Sequence, residues 1–118
     1  MCILSDCEFS SHYFKSAANH KYRVLYTGND LRLLKFLQGR LKACFVVRAP
    51  SGYMARAFIA GKTDYSLFLF DAELPDTTGA ELECFTHTRH ECTPVVIIHD
   101  SENFSLIVKA VLRSLRYL

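Results

Sequence analysis

The chain has 118 residues, enough for one domain with a real core and too few for two. Half of it is hydrophobic and 22% is charged, a globular composition rather than a disordered one. Its net charge of +2 is too small to argue for nucleic-acid binding, and none is expected; no apolar run reaches the length of a membrane span, and MCILSDCEF lacks the basic-then-apolar order of a secretory signal.

Residues 1–21 read as an N-terminal extension, with Cys2-Ile3-Leu4 as a short strand and Phe9 to Ala18 as a helix capped by Ser10 or Ser11. The domain proper runs from 22 to 118. Tyr22-Arg23-Val24-Leu25-Tyr26 is a first strand, closing on Thr27-Gly28-Asn29-Asp30, where Asn29 or Asp30 is a helix cap. Leu33, Leu34, Phe36, Leu37 and Leu41 then recur at helical spacing, which predicts a helix over 31–42. Phe45-Val46-Val47 is a second strand and Ala49-Pro50-Ser51-Gly52 a loop. A helix from Tyr53 ends near Gly61, a third strand covers Tyr65 to Phe70, and a third helix runs from Gly79 to about Arg89. Pro94 opens a fourth strand, Val95 to Ile98, which closes at His99-Asp100. Ser101 and Glu102 begin a last helix with Leu106, Ile107, Ala110, Val111 and Leu115 on its apolar face.

The stretch FLFDAELPDTTG is the most constrained part of the chain. A continuous apolar run suits a parallel strand buried on both faces, and it stops at Asp71. Pro75 and Gly79 follow at regular intervals, one stiffening the loop and the other allowing tight entry into a helix. Short alternation of strand and helix implies right-handed crossovers and a parallel sheet covered on both sides. Open sheets of that kind place their sites at the C-terminal ends of strands. Thr27 to Asp30, Asp71 and His99-Asp100 should therefore share one crevice. The bland alternative is that Asp71 merely ends a strand.

From residue 22 to about 100 the chain resembles the response-regulator receiver domains. The resemblance rests on the apolar strand, on Asp71, Pro75 and Gly79 at Asp-x3-Pro-x3-Gly spacing, and on Gly52 and Pro94. It implies a flavodoxin-like three-layer α/β/α fold with strand order 2-1-3-4-5. It also implies that Asp71 accepts a phosphoryl group from a sensor histidine kinase. A carboxylate attacking a phosphoryl group needs a divalent cation between the two anions. The family supplies an acidic pair after strand one, the acceptor Asp and a backbone carbonyl two residues later. Carried onto this chain, the magnesium ligands would be Asp30, Asp71 and the carbonyl of Glu73.

The chain departs from that pattern in three places. Asp30 is the one acid where two are expected, so magnesium binding should be weak. His99 stands where the family has a hydroxyl, with Ser101 close by, and is a possible phosphoryl contact. No fifth strand with its lysine follows, so the sheet should read 2-1-3-4 and the domain is incomplete at its C-terminus. The terminal FSLIVKAVLRSLRYL is either the family's fourth helix with the rest lost or its fifth helix brought forward by a deletion. An apolar fourth strand left at an open edge predicts a homodimer, paired or swapped through residues 94–118.

Five cysteines without framework spacing read as free thiols of a reducing cytoplasm. Cys84, His87, His90 and Cys92 are zinc-type ligands, but their spacing matches no standard finger, and Cys84 packing inward explains it as well. Lys109, Arg113 and Arg116 read as a solvated helix face or a docking surface. Three functions follow. The first is a phosphoacceptor in two-component signalling, which is not an enzyme. The second is a pseudo-receiver that only binds partners. The third is a haloacid-dehalogenase-type phosphatase, disfavoured because Glu73 stands where its second Asp belongs.

Overall fold

A computed structural model describes residues 21–115 of the chain. The strand and helix expected within residues 1–20, and Arg116, lie outside the described residues. Eight elements alternate: β1 Tyr22–Thr27, α1 Leu31–Arg40, β2 Cys44–Ala49, α2 Gly52–Ala60, β3 Leu67–Asp71, α3 Gly79–His87, β4 Val95–Ile98 and α4 Phe104–Leu115. The strands form one parallel sheet in the order β2-β1-β3-β4. That is the order the resemblance implied, and no fifth strand is present among the described residues.

Helix boundaries follow local chemistry. Asp30 has extended dihedrals and its side chain accepts from the amides of Arg32 and Leu33, so α1 starts there. Ser51 caps α2 in the same way and Thr78 caps α3. Two expectations were slightly long. α1 stops at Arg40 with Leu41 as its C-cap, and α3 stops at His87 before a turn over 88–90. The third strand is shorter at its start, from Leu67 rather than Tyr65.

Leu67 to Phe70 are fully buried. Alternation sends Leu67 and Leu69 to one face of the sheet and Phe68 and Phe70 to the other. The first face packs with Val24, Tyr26 and Val46 against Leu33 and Leu37 of α1 and Ile107, Val108 and Val111 of α4. The second packs with Leu25 and Ala49 against Ala55 and Ile59 of α2 and Leu82 of α3.

The position of α4 bears on the two readings of the terminal segment. Going from β1 to β2 the chain moves one way along the sheet; from β2 to β3 and from β3 to β4 it moves the other way. Right-handed crossovers therefore put α1 on one face and α2 and α3 on the opposite face. A helix leading on to a further strand past β4 would join α2 and α3. Instead, α4 packs beside α1. Its place on the α1 face fits the reading of the terminal segment as a closing helix rather than as a crossover to a further strand.

Candidate functional site at the C-terminal end of β3

Asp71 ends β3 at the C-terminal edge of the sheet, half-buried on the α1/α4 side. Alternation puts Tyr26, near the end of β1, on that same side. The Tyr26 hydroxyl donates to Asp71 Oδ2 at 3.5 Å and accepts from the Asp30 amide at 3.2 Å. The Asn29 amide also donates to the Asp71 carboxylate. Asp71 Oδ1 is buried and has no hydrogen-bond partner. Burial pushes the Asp71 carboxyl above its usual range and the nearby Asp30 charge adds to this, while the Asn29 amide and Tyr26 hydroxyl pull the other way. The Tyr26 phenol is pushed up strongly, first by burial and then by the Asp71 charge.

The loop after β1 is pinned from the side of β2. Arg48 donates from Nε to the Gly28 carbonyl at 2.9 Å and from Nη2 to Asn29 Oδ1 at 2.7 Å. Asn29 Nδ2 donates to the Pro50 carbonyl at 3.0 Å. Gly28 lies so close to Asp71 that a Cβ built there would overlap Asp71 Oδ2 and the Tyr26 hydroxyl. Asp30 turns back to cap α1, its Oδ1 accepting from two amides at 3.1 Å.

Asp71 also lines an open recess of about 170 Å³ with Ala72, Glu73, Ile98, His99 and Ser101. The recess thus brings Asp71, Glu73 and His99 together. Asp30 reaches Asp71 through Tyr26 and stands outside the recess lining. Asp100 is exposed and accepts from the Glu102 amide at 3.1 Å, closing a turn before α4. The zinc-type residues do not gather. His90 Nε2 lies 2.9 Å from the Ile59 carbonyl, His87 lies 3.3 Å from Glu83, and Cys84 and Cys92 are exposed thiols. No group of three or more His, Cys, Asp or Glu is placed to hold a metal among the described residues.

What the crevice offers a cation can be judged from its donors. One carboxylate oxygen, Asp71 Oδ1, lacks a partner, while the Ala72 carbonyl next to it already accepts from the Gly79 amide. The two positions nearest Asp71 in the loop after β1 carry Gly28 and Asn29, and the Asn29 side-chain oxygen is held by Arg48. Magnesium prefers one or two free carboxylates with octahedral geometry. These residues do not fit a centre built on paired acids.

Tyr26, Gly28 and Arg48 were not singled out by sequence. Tyr26 read as an ordinary strand residue; its signal is a phenol two residues before a glycine loop, on the face that alternation shares with Asp71. Arg48 was readable only as a charge closing the apolar run Phe45-Val46-Val47. Asp76 was missed as well. Its carboxylate accepts from the amides of Gly52 and Tyr53, both at 2.9 Å, a second cap on α2.

No family model and no curated protein matches this chain. Solved structures do. The response regulator TrrA from Thermotoga maritima, in complex with Mg2+ and BeF, superposes with a TM-score of 0.62 at 17% identity, over 79% of this chain and 98% of that one. A structure described as adenylate cyclase from Rhodopirellula baltica gives 0.60 at 22% identity, over 80% and 71%. The bacteriophytochrome response regulator RtBRR gives 0.56 at 20% identity, over 77% of this chain and 63% of its own length. At such identities the likeness is one of fold: a parallel 2-1-3-4 sheet, with Asp71 at its C-terminal edge, in a receiver-like fold.

Proposed function

We infer that the chain is a receiver-type interaction module of two-component signalling, acting through protein contacts without turning over a phosphoryl group on Asp71. The observation that carries this is the hold on that carboxylate. Tyr26 and Asn29 bond to it, Gly28 abuts it where an acid would be needed, and Asp30 caps α1. Two anions must approach each other in phosphoryl transfer to a carboxylate, and the electrostatic help comes from a cation and a positive clamp. A phenol and an amide take the room of the first, and no lysine or arginine lines the recess for the second. Neither role, interaction module or phosphoacceptor, makes the chain an enzyme.

One observation favours a second reading, phosphoacceptance from a sensor histidine kinase. Asp71 Oδ1 is a buried oxygen without a partner, and such atoms are rare unless something binds them. On that reading Asp71 takes the phosphoryl group, Asp30 and the Glu73 carbonyl help Asp71 hold a weakly bound Mg2+, and His99 contacts the phosphoryl oxygens.

Acetyl phosphate with Mg2+, read by intact mass, separates the two. An unchanged mass is expected. A mass increase of one phosphoryl group that disappears in Asp71→Asn would transfer the function to the second reading.

A further inference from the structure

β4 is an edge strand of four apolar residues, Val95-Val96-Ile97-Ile98, with α3 behind one face and α4 behind the other. The ladder to β3 shows which backbone groups remain. Phe68 N–H donates to the Pro94 carbonyl and Ala72 N–H to the Ile98 carbonyl. In a parallel ladder, alternate residues turn both groups the same way. Val96 and Ile98 therefore face β3, and the N–H and C=O of Val95 and Ile97 point out of the sheet. The opposite edge, β2, is defended: Gln38 Nε2 donates to the Val46 carbonyl at 3.3 Å and β2 carries Arg48. β4 has no charge inside the strand, so its protection as an edge is limited to its short length and the proline before it.

The geometry points to a second copy of this chain as the occupant of that edge, paired antiparallel about a two-fold axis through Val96. The outward groups fix the register. Val95 of one copy lies opposite Ile97 of the other, and Val96 lies opposite itself, because in that register both outward residues of each four-residue strand find partners within the strand. The start of the strand carries one cation, Arg113, next to the anionic Glu91, and the far end is acidic, so a single pair, Arg113 with Asp100, can form between the ends. At its start is an open recess of about 480 Å³ lined by His87, Glu91, Cys92, Thr93, Pro94, Arg113 and Ser114. Beyond its end are Asp71, Glu73, Asp100 and Glu102, and none of the residues lining the recess there is a lysine or arginine. The register puts the partner's Asp100 opposite Cys92, within the recess that Arg113 lines. The same two-fold axis brings the partner's Arg113 toward the acidic recess of Asp71, whose own lining has no lysine or arginine. A strand of four residues spans only about 13 Å, so the dimer is reversible and concentration-dependent.

The test uses the full chain in sedimentation equilibrium across a wide concentration range, with amide exchange followed at Val95 and Ile97. A monomer–dimer equilibrium is expected, with both amides more protected at high concentration. Ile97→Pro removes an outward N–H and leaves the ladder to β3 intact, so it should give monomer with a folded circular dichroism spectrum. Arg113→Asp, on an exposed position, should weaken the dimer about three- to tenfold, and the exchange Arg113→Asp with Asp100→Arg should restore it. The proposal is overturned by a monomer at all concentrations or by a dimer indifferent to both charge variants. Amide protection that does not depend on concentration would overturn it too, since the edge would then be covered by the chain itself.

Discussion

Gly28 sits where β1 gives way to its loop, and a Cβ there would press on Asp71 Oδ2 and on the Tyr26 hydroxyl. Gly28→Ala should therefore lower stability by about 1–3 kcal/mol through overpacking, measured by urea denaturation. Tyr26→Phe in the same chain should recover part of the loss by removing one of the two clashing oxygens. Asp71 carries its own signature. A carboxyl whose folded pKa is raised binds its proton more tightly in the folded state, so its charge costs stability once pH exceeds the unfolded value near 4. Asp71→Asn should raise the melting temperature at pH 7, by about 4–8 °C for each kcal/mol recovered, and the gain should shrink as pH falls to 4. Asp71 was legible in the sequence because an apolar run stops there and Pro75 and Gly79 follow at fixed spacing. Its partners were not, since a hydrogen bond between Tyr26 and Asp71 spans 45 positions and depends on strand register.

At the level of elements, caps and faces separate what sequence reveals from what it hides. Asp30→Ala should destabilise by about 1 kcal/mol, seen as a lower urea midpoint, because two amides of α1 lose their acceptor. Ser51→Ala should cost less, since α2 keeps a second acceptor in Asp76. The amides of Gly52 and Tyr53 hold the Asp76 carboxyl below its usual range. Its contribution is present above the unfolded pKa and is lost as pH falls through the folded one, so the Ser51→Ala deficit should widen in acid. Periodicity identified α4 as an amphipathic helix, and Ile107, Val111 and Leu115 do turn inward, whereas Leu106, assigned to the same face, is exposed. Periodicity could not say which face of the sheet the inward residues meet. Crossover handedness fixes a helix only when a parallel strand follows it, and none follows α4 among the described residues.

Across the whole molecule, the sheet is a divider between two apolar clusters, and β3 serves both. Leu69→Ala and Phe68→Ala should accordingly be comparably severe, about 2–5 kcal/mol each by denaturant unfolding, although they empty opposite faces. The alternation of elements and the parallel order were legible from length, spacing and apolar runs, because a buried parallel strand and an amphipathic helix leave different periods. The state of the crevice was not, since it is set by which residue of Thr27 to Asp30 reaches Asp71, a shift of a single position. Gly28 and Asn29 reach it, and Asp30 is turned to the helix. The most direct check is a pH titration of the Asp71 carboxyl carbon by NMR, with and without Mg2+. The expected result is a midpoint above the usual carboxylate range that Mg2+ does not move. A normal or lowered midpoint, shifted saturably by Mg2+, would contradict the hold of Tyr26 and Asn29 on Asp71 and restore the phosphoacceptor.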